Sequence, residues 1–322
     1  MKESIVVLEK RAFLNKSYFQ IRKKNINSRI IFITSLFISF FWLILIFIHI
    51  NKFKKNNNHD IGQIKKYKPD NITLVTAYYP MQSKYPQQNY IKWINLTLQV
   101  NCSMIIFSNK EFIEKIKEIR PTYLHNKTIF IELEMKDFYS YKKYINEFNK
   151  TYNIDPEKSY HSVPLYLVWA EKCSFLKKAI LNNYFDSTCF YWIDAGYFRA
   201  EEEIGNFVNN WPSPKKCYED KRVILAQIRK IPENEKNLLL NFDENTHILF
   251  QFKTNVGAGI FGGYFENVLK FINFYYEAIE IFVSKKLFIG KEQNIFTYVA
   301  LSHPDIINFI PGYYYILKSY LS

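Results

Sequence analysis

The stretch with the clearest chemical content is Phe190-Tyr-Trp-Ile-Asp-Ala-Gly-Tyr-Phe-Arg199, in which an apolar run leads directly into Asp194. A carboxylate at the end of a buried strand is costly unless it is paired or holds a cation. The Ala195-Gly196 that follows lets the backbone turn tightly and lets a ligand approach closely. One reading is that Asp194 holds a divalent metal, Mn2+ or Mg2+, which clamps a diphosphate and offsets its developing charge. The plainer reading is that Asp194 caps the next turn or pairs with Arg199. His303, just before Pro304, is a candidate second metal ligand, although a lone histidine is more often structural.

Two further segments carry candidates. The chain has nine glycines, and Gly257, Gly259, Gly262 and Gly263 fall within seven residues. Such a cluster suits a backbone that a substrate approaches closely, or a turn with a bulge. Its spacing is not that of a dinucleotide-binding turn. In Gly290-Lys-Glu-Gln-Asn-Ile-Phe296, Glu292 and Gln293 open a predicted helix and are expected to face outward at its positive end. Glu292 is a candidate general base, or a group that positions an acceptor hydroxyl; the alternative is ordinary first-turn capping. Lys172 and Arg199 are candidates to neutralise phosphate, and both types are more often surface charges; Trp169 and His161 are lesser candidates.

These residues need elements to hold them. Strands are predicted over residues 72–79, 103–108, 128–133 and 189–193, with later apolar runs at 223–228, 248–252 and 258–261. Helices are predicted over 88–100, 111–119, 165–182, 265–283 and 292–301. Strands alternating with helices imply an α/β fold with a mostly parallel central sheet flanked by helices. Ligands of such sheets bind at the carboxyl ends of the strands, where Asp194 falls.

The rest of the chain bounds the setting. Ile30 to Ile50 has 21 residues without a formal charge, long enough for one transmembrane helix. No small-residue cleavage site follows it, so it reads as a signal anchor. The expected organisation is a basic cytoplasmic tail at 1–29, the membrane helix at 30–50, a polar stem at 51–70 and a globular domain at 71–322. Basic residues flank the span on both sides, so charge alone does not orient it. N-x-S/T sites at Asn71, Asn95, Asn101, Asn126 and Asn149 follow the span, against one before it at Asn15. Together with the size of the C-terminal part they favour a type II protein whose domain is luminal. The net charge of +13 comes from scattered lysines with no nucleic-acid motif, so nucleic acid is not an expected partner. Cys102, Cys173, Cys189 and Cys217 lack metal-site spacing; two disulfides and free buried thiols both stay open.

The order of segments resembles the WlaTC/HtrL (YibB-like) family, a set of inferred glycosyltransferases. The likeness rests on Thr73-Leu-Val-Thr-Ala-Tyr-Tyr, Met104-Ile-Ile-Phe-Ser-Asn and Tyr166-Leu-Val-Trp-Ala-Glu-Lys-Cys173. Phe190 to Arg199, Gly257-Ala-Gly-Ile-Phe-Gly-Gly263 and Glu292-Gln293 complete it, and it covers nearly all of 71–322. The family in turn is similar to the GT-A fold of nucleotide-diphospho-sugar transferases. The resemblance implies a membrane-anchored glycosyltransferase of the Golgi or endoplasmic reticulum. It would take a nucleotide-sugar donor and a glycan, glycoprotein or glycolipid acceptor. It places Thr76, Ala77 and Tyr78 beside the nucleotide, the four clustered glycines beside the acceptor or donor sugar, and Glu292-Gln293 near the acceptor. Such enzymes usually carry Asp-x-Asp after a central strand. Here Asp194-Ala195-Gly196 lacks the second carboxylate, so metal binding would need another ligand such as His303. The alternative is a catalytically inactive carbohydrate-binding relative of the same fold.

Overall fold

A computed structural model describes residues 71–205, 207, 211–242 and 253–322. The expected tail, membrane helix and stem, and the apolar run at 248–252, lie outside the described residues. No helix among the described residues is long and apolar enough to cross a membrane.

The strands are β1 (Ile72–Ala77), β2 (Ser103–Ser108), β3 (Thr128–Glu132), β4 (Cys189–Ile193), β5 (Val223–Gln227), β6 (Val256–Tyr264) and β7 (Ile307–Pro311). They form one sheet in the order β3-β2-β1-β4-β6-β5-β7. All neighbouring pairs are parallel except those of β6, which runs antiparallel to β4 and β5. The sheet is therefore mostly parallel and covered by helices on both faces, as the strand–helix alternation predicts. Alternation along β1 sends Val75 and Ala77 into one core and Ile72 and Leu74 into the other.

The first face is covered by α3 (Tyr139–Tyr152), α4 (Val163–Asn182), α7 (Glu233–Asn241), α8 (Phe265–Ser284) and α9 (Glu292–Ser302). The second is covered by α1 (Gln87–Thr97), α2 (Lys110–Ile119), the short α6 (Pro214–Glu219) and α10 (Ile316–Tyr320). A further short helix, α5 (Glu201–Ile204), follows the Asp194 turn. Helix α3 is absent from the sequence reading, because Tyr, Asn, Ser and Thr, all weak helix formers, make up much of it. Its stability is tertiary. Tyr144 and Phe148 are buried, and Glu171 of α4 accepts hydrogen bonds from Tyr139 N at 3.1 Å and Ser140 N at 2.8 Å at its first turn. Strand β7 was likewise not predicted, and it extends the sheet beyond β5.

The glycine cluster is a central strand, not a ligand loop. Leu225 pairs with Phe261 and Ala226 with Gly257, so residues 258–260 of β6 bulge out of register with β5. Gly262 and Gly263 have φ of +150° and +155°, backbone that L residues rarely adopt. Cys189 and Cys217 form a disulfide between β4 and α6, while Cys102 and Cys173 are free thiols. Burial pushes the Cys102 thiol up to about 12.

A Cβ at Gly262 would stand 2.1 Å from the Phe190 carbonyl oxygen, whereas one at Gly205 meets nothing within 4 Å. Gly262→Ala should therefore cost upward of about 2 kcal/mol, and Gly205→Ala under about 0.5 kcal/mol, in denaturant melts of the two variants.

Candidate active site

The site is built around a buried ammonium. Helix α4 carries Leu165, Val168, Trp169 and Lys172 at helical spacing along one stripe, and that stripe lines a cleft of about 350 Å3. Lys172 is 2% exposed. Its Nζ lies 2.8 Å from Asp194 Oδ1, 2.8 Å from Glu292 Oε1 and 3.1 Å from the Ala258 carbonyl oxygen, so its three N–H donors meet three acceptors. Burial alone would push this ammonium's pKa down. The charges of Asp194 and Glu292 outweigh that and hold it above the ordinary lysine value.

Each acceptor is delivered by a different element. Asp194 follows β4, and its N–H donates to the Gly259 carbonyl at 2.7 Å, within the bulged stretch. Trp192 Nε1 donates to Asp194 Oδ1 at 2.7 Å, so that oxygen receives two donors and the rest of the half-buried carboxylate faces the cleft. Ala258 sits in the β6 bulge, and Glu292 opens α9. Glu292 is thus turned inward and only 5% exposed, against the expectation that it faces out. Lys172 is not a free phosphate ligand, because both its charge and its protons are committed.

Ala77, Tyr78 and Tyr79 at the end of β1, and Gln293 beside Glu292, line the cleft as well. Thr76 does not. It is fully buried one residue earlier in β1, with no hydrogen-bond partner for its hydroxyl among the described residues. None of the clustered glycines lines the cleft either. A Cβ at Gly259 would press on Tyr197 and Tyr314, and one at Gly263 on the Arg222 carbonyl, so the close approach they permit is to protein rather than to sugar. Arg199 is the other residue expected from the sequence to neutralise phosphate. It is exposed at the cleft's edge, with its guanidinium 4.4 Å from the Trp93 ring centre and 5.5 Å from that of Tyr85. It has no ion-pair partner among the described residues.

Three contributors are missing from the sequence reading. Lys291 lines the cleft and pairs with Glu157 at 3.0 Å, tying the 153–162 loop to the start of α9. Tyr90 and Tyr314 add aromatic wall. No local pattern marks any of them; each arrives through tertiary packing.

The divalent metal does not fit these residues. Asp194 Oδ1 is occupied by an ammonium and an indole N–H. His303 lies at the other end of α9, about 16 Å along the helix from Glu292, where it stacks on Phe274. Among the described residues no three His, Cys, Asp or Glu side chains come together as a metal set. The pairing of Asp194 with His303 as metal ligands is therefore corrected. In its place the strand-end carboxylate has a lysine from the neighbouring helix.

The sequence model of a family described as "Bacterial protein of unknown function (HtrL_YibB)" matches residues 70–320, and the chain belongs to that family. No curated protein matches it. Solved structures do match. One, described as "PaToxG Glycosyltransferase", is 9% identical over 79% of this chain and 77% of that chain, with a TM-score of 0.28. A likeness that distant says nothing about the chemistry of this cleft.

Removing Lys172 leaves two carboxylates facing each other in a dry site. Lys172→Met should cost about 3 kcal/mol in chemical melts, and adding Glu292→Gln should return about 1 kcal/mol or more of that loss. The folded-state pKa of Lys172 lies above its unfolded value. The pair's contribution is therefore complete at neutral pH and is lost only as pH rises through that raised value.

Proposed function

We propose that this HtrL_YibB-family chain is a glycosyltransferase that moves a sugar from a nucleotide-sugar donor to a glycan, glycoprotein or glycolipid hydroxyl. The observation that carries the reading is one cleft at the carboxyl ends of β1 and β4 that joins two kinds of group. Its floor has anchored carboxylates, Asp194 and Glu292, with the aromatic side chains of Tyr78, Tyr90 and Trp169 around it. Its edge has the guanidinium of Arg199, which has no ion-pair partner among the described residues. Carboxylates that accept hydrogen bonds and rings that cover apolar C–H faces are what a sugar needs. A planar guanidinium held on rings is what a diphosphate needs.

In this reading Arg199 holds the diphosphate and takes up part of its charge as the bond to the sugar breaks. Asp194 and Glu292 accept from sugar hydroxyls and fix the sugar's orientation, and Lys172 holds both carboxylates in place. No step is routed through a metal.

Residues 30–50 would anchor the enzyme in a membrane, as a type II protein with its domain in the lumen of the Golgi or endoplasmic reticulum. The Cys189–Cys217 disulfide supports an oxidising compartment, and the acceptor-site asparagines Asn95, Asn126 and Asn149 are exposed. A non-catalytic sugar-binding protein could use the same floor. Turnover separates the two.

Calorimetric titration of the folded chain with a panel of nucleoside diphosphates, with and without Mn2+, is the test. One nucleotide should bind without the metal, and Arg199→Ala should weaken it about tenfold or more. Asp194→Asn should abolish donor turnover while leaving the melting temperature within a few degrees. If no nucleotide binds the folded chain, the transferase reading fails and the sugar-binding one replaces it.

A further inference from the structure

We infer that His161 takes the proton of the acceptor hydroxyl during sugar transfer, and that Asp155 positions it. The inference rests on the transferase reading above.

Glu292, the carboxylate first considered for the role, has Oε1 taken by Lys172 at 2.8 Å and is 5% exposed, so little of it is open to an acceptor hydroxyl. Asp194 already has Oδ1 taken by Lys172 and Trp192, and a further candidate in the cleft is His161, in the 153–162 loop. Its Nδ1 lies 2.8 Å from Asp155 Oδ2. Asp155 is 3% exposed, and its carboxylate also takes the Tyr166 hydroxyl and, at 2.8 Å, the Glu157 N–H. Burial works against the charge on Asp155, but these three donors prevail and hold its carboxyl below the ordinary value. An ionised carboxylate only accepts, so Nδ1 carries the proton that points at Asp155, and Nε2 is the nitrogen left for a substrate proton.

Nε2 has no partner among the described residues, nor is it one of the sealed, unsatisfied buried atoms. It is open, on a ring that lines the cleft. The ring is packed edge-on against Trp169 at 4.9 Å. The loop is held to the protein by Lys291–Glu157 and by the Tyr152 hydroxyl, which donates to the Lys158 carbonyl at 3.1 Å. A histidine oriented by a buried carboxylate, on a ring that lines the cleft and with its far nitrogen unengaged among the described residues, has the arrangement of a general base.

The step balances as a single displacement. The acceptor O–H gives its proton to Nε2, and its oxygen bonds to the anomeric carbon. The bond from that carbon to the diphosphate oxygen breaks, and its electron pair leaves with the nucleoside diphosphate beside Arg199. The proton then passes from Nε2 to water. The product has the opposite anomeric configuration to the donor.

The test uses the purified full-length chain and a panel of UDP- and GDP-linked hexoses and N-acetylhexosamines, with water as the acceptor. His161→Asn should lower nucleoside diphosphate release by about 10²- to 10⁴-fold. The affinity for the nucleoside diphosphate should stay within about twofold. Free imidazole should restore part of the release to His161→Ala, and Asp155→Asn should lower kcat more than it raises KM. NMR should find the released sugar inverted. His161→Asn turning over like the parent, no rescue of a folded His161→Ala, or a retained configuration would each overturn the assignment. If the folded parent protein neither binds nor hydrolyses any donor, the transferase reading falls and takes this inference with it.

Discussion

A lysine ammonium out of water is tolerable only where its charge and its three protons are all answered, and that constraint organises the cleft. Lys172 meets it by drawing together a helix, α4, the end of a parallel strand, β4, the bulge of an antiparallel strand, β6, and the start of another helix, α9. None of these segments is close to the others in sequence. Each is placed by the sheet, and the ammonium then fixes the last few ångströms. The carboxylates it holds are oriented and not free to turn away, which is the condition for meeting a polar ligand without reorganisation.

The glycine-rich strand serves that geometry indirectly. Within the 258–260 stretch that is out of register with β5, β6 offers Ala258 O to Lys172 and Gly259 O to the Asp194 N–H. Gly259 keeps Tyr197 and Tyr314 close against the sheet, and Gly262 lets β6 pass the Phe190 carbonyl. The cluster is thus linked to the site by carbonyl placement, not by contact with a substrate.

Much of this was readable from residues alone. The β4 run into Asp194, the α4 stripe and the α8 and α9 boundaries follow from local periodicity, so the strand-end carboxylate, Lys172 and Glu292 were all recognisable as candidates. Their mutual pairing was not, because it joins residues 120 positions apart through a sheet order that alternation alone does not fix. The same reason hid Lys291 and the carboxylate that orients His161. Helix α3 escaped because its N-terminal cap, Glu171, comes from another helix. The outward orientation expected of Glu292 failed because a helix-opening glutamate turns inward when a cation waits behind it. The glycines misled because close backbone approach looks alike in sequence whether the visitor is a ligand or a neighbouring strand.

Strand β4 is fastened at both ends. At Cys189 it is bonded to α6, and just past Ile193 the Asp194 carboxylate is held by Lys172, with β1 and β6 on either side. Such a strand behaves as a strut. It has no free end from which to fray, and its motions are those of the whole sheet. The breathing that admits and releases a ligand must then be borne by the parts around the strut: the 153–162 loop, the 80–86 segment and the C-terminal turn that carries Tyr314. A ligand entering the cleft would then meet walls that can yield over a floor that is held.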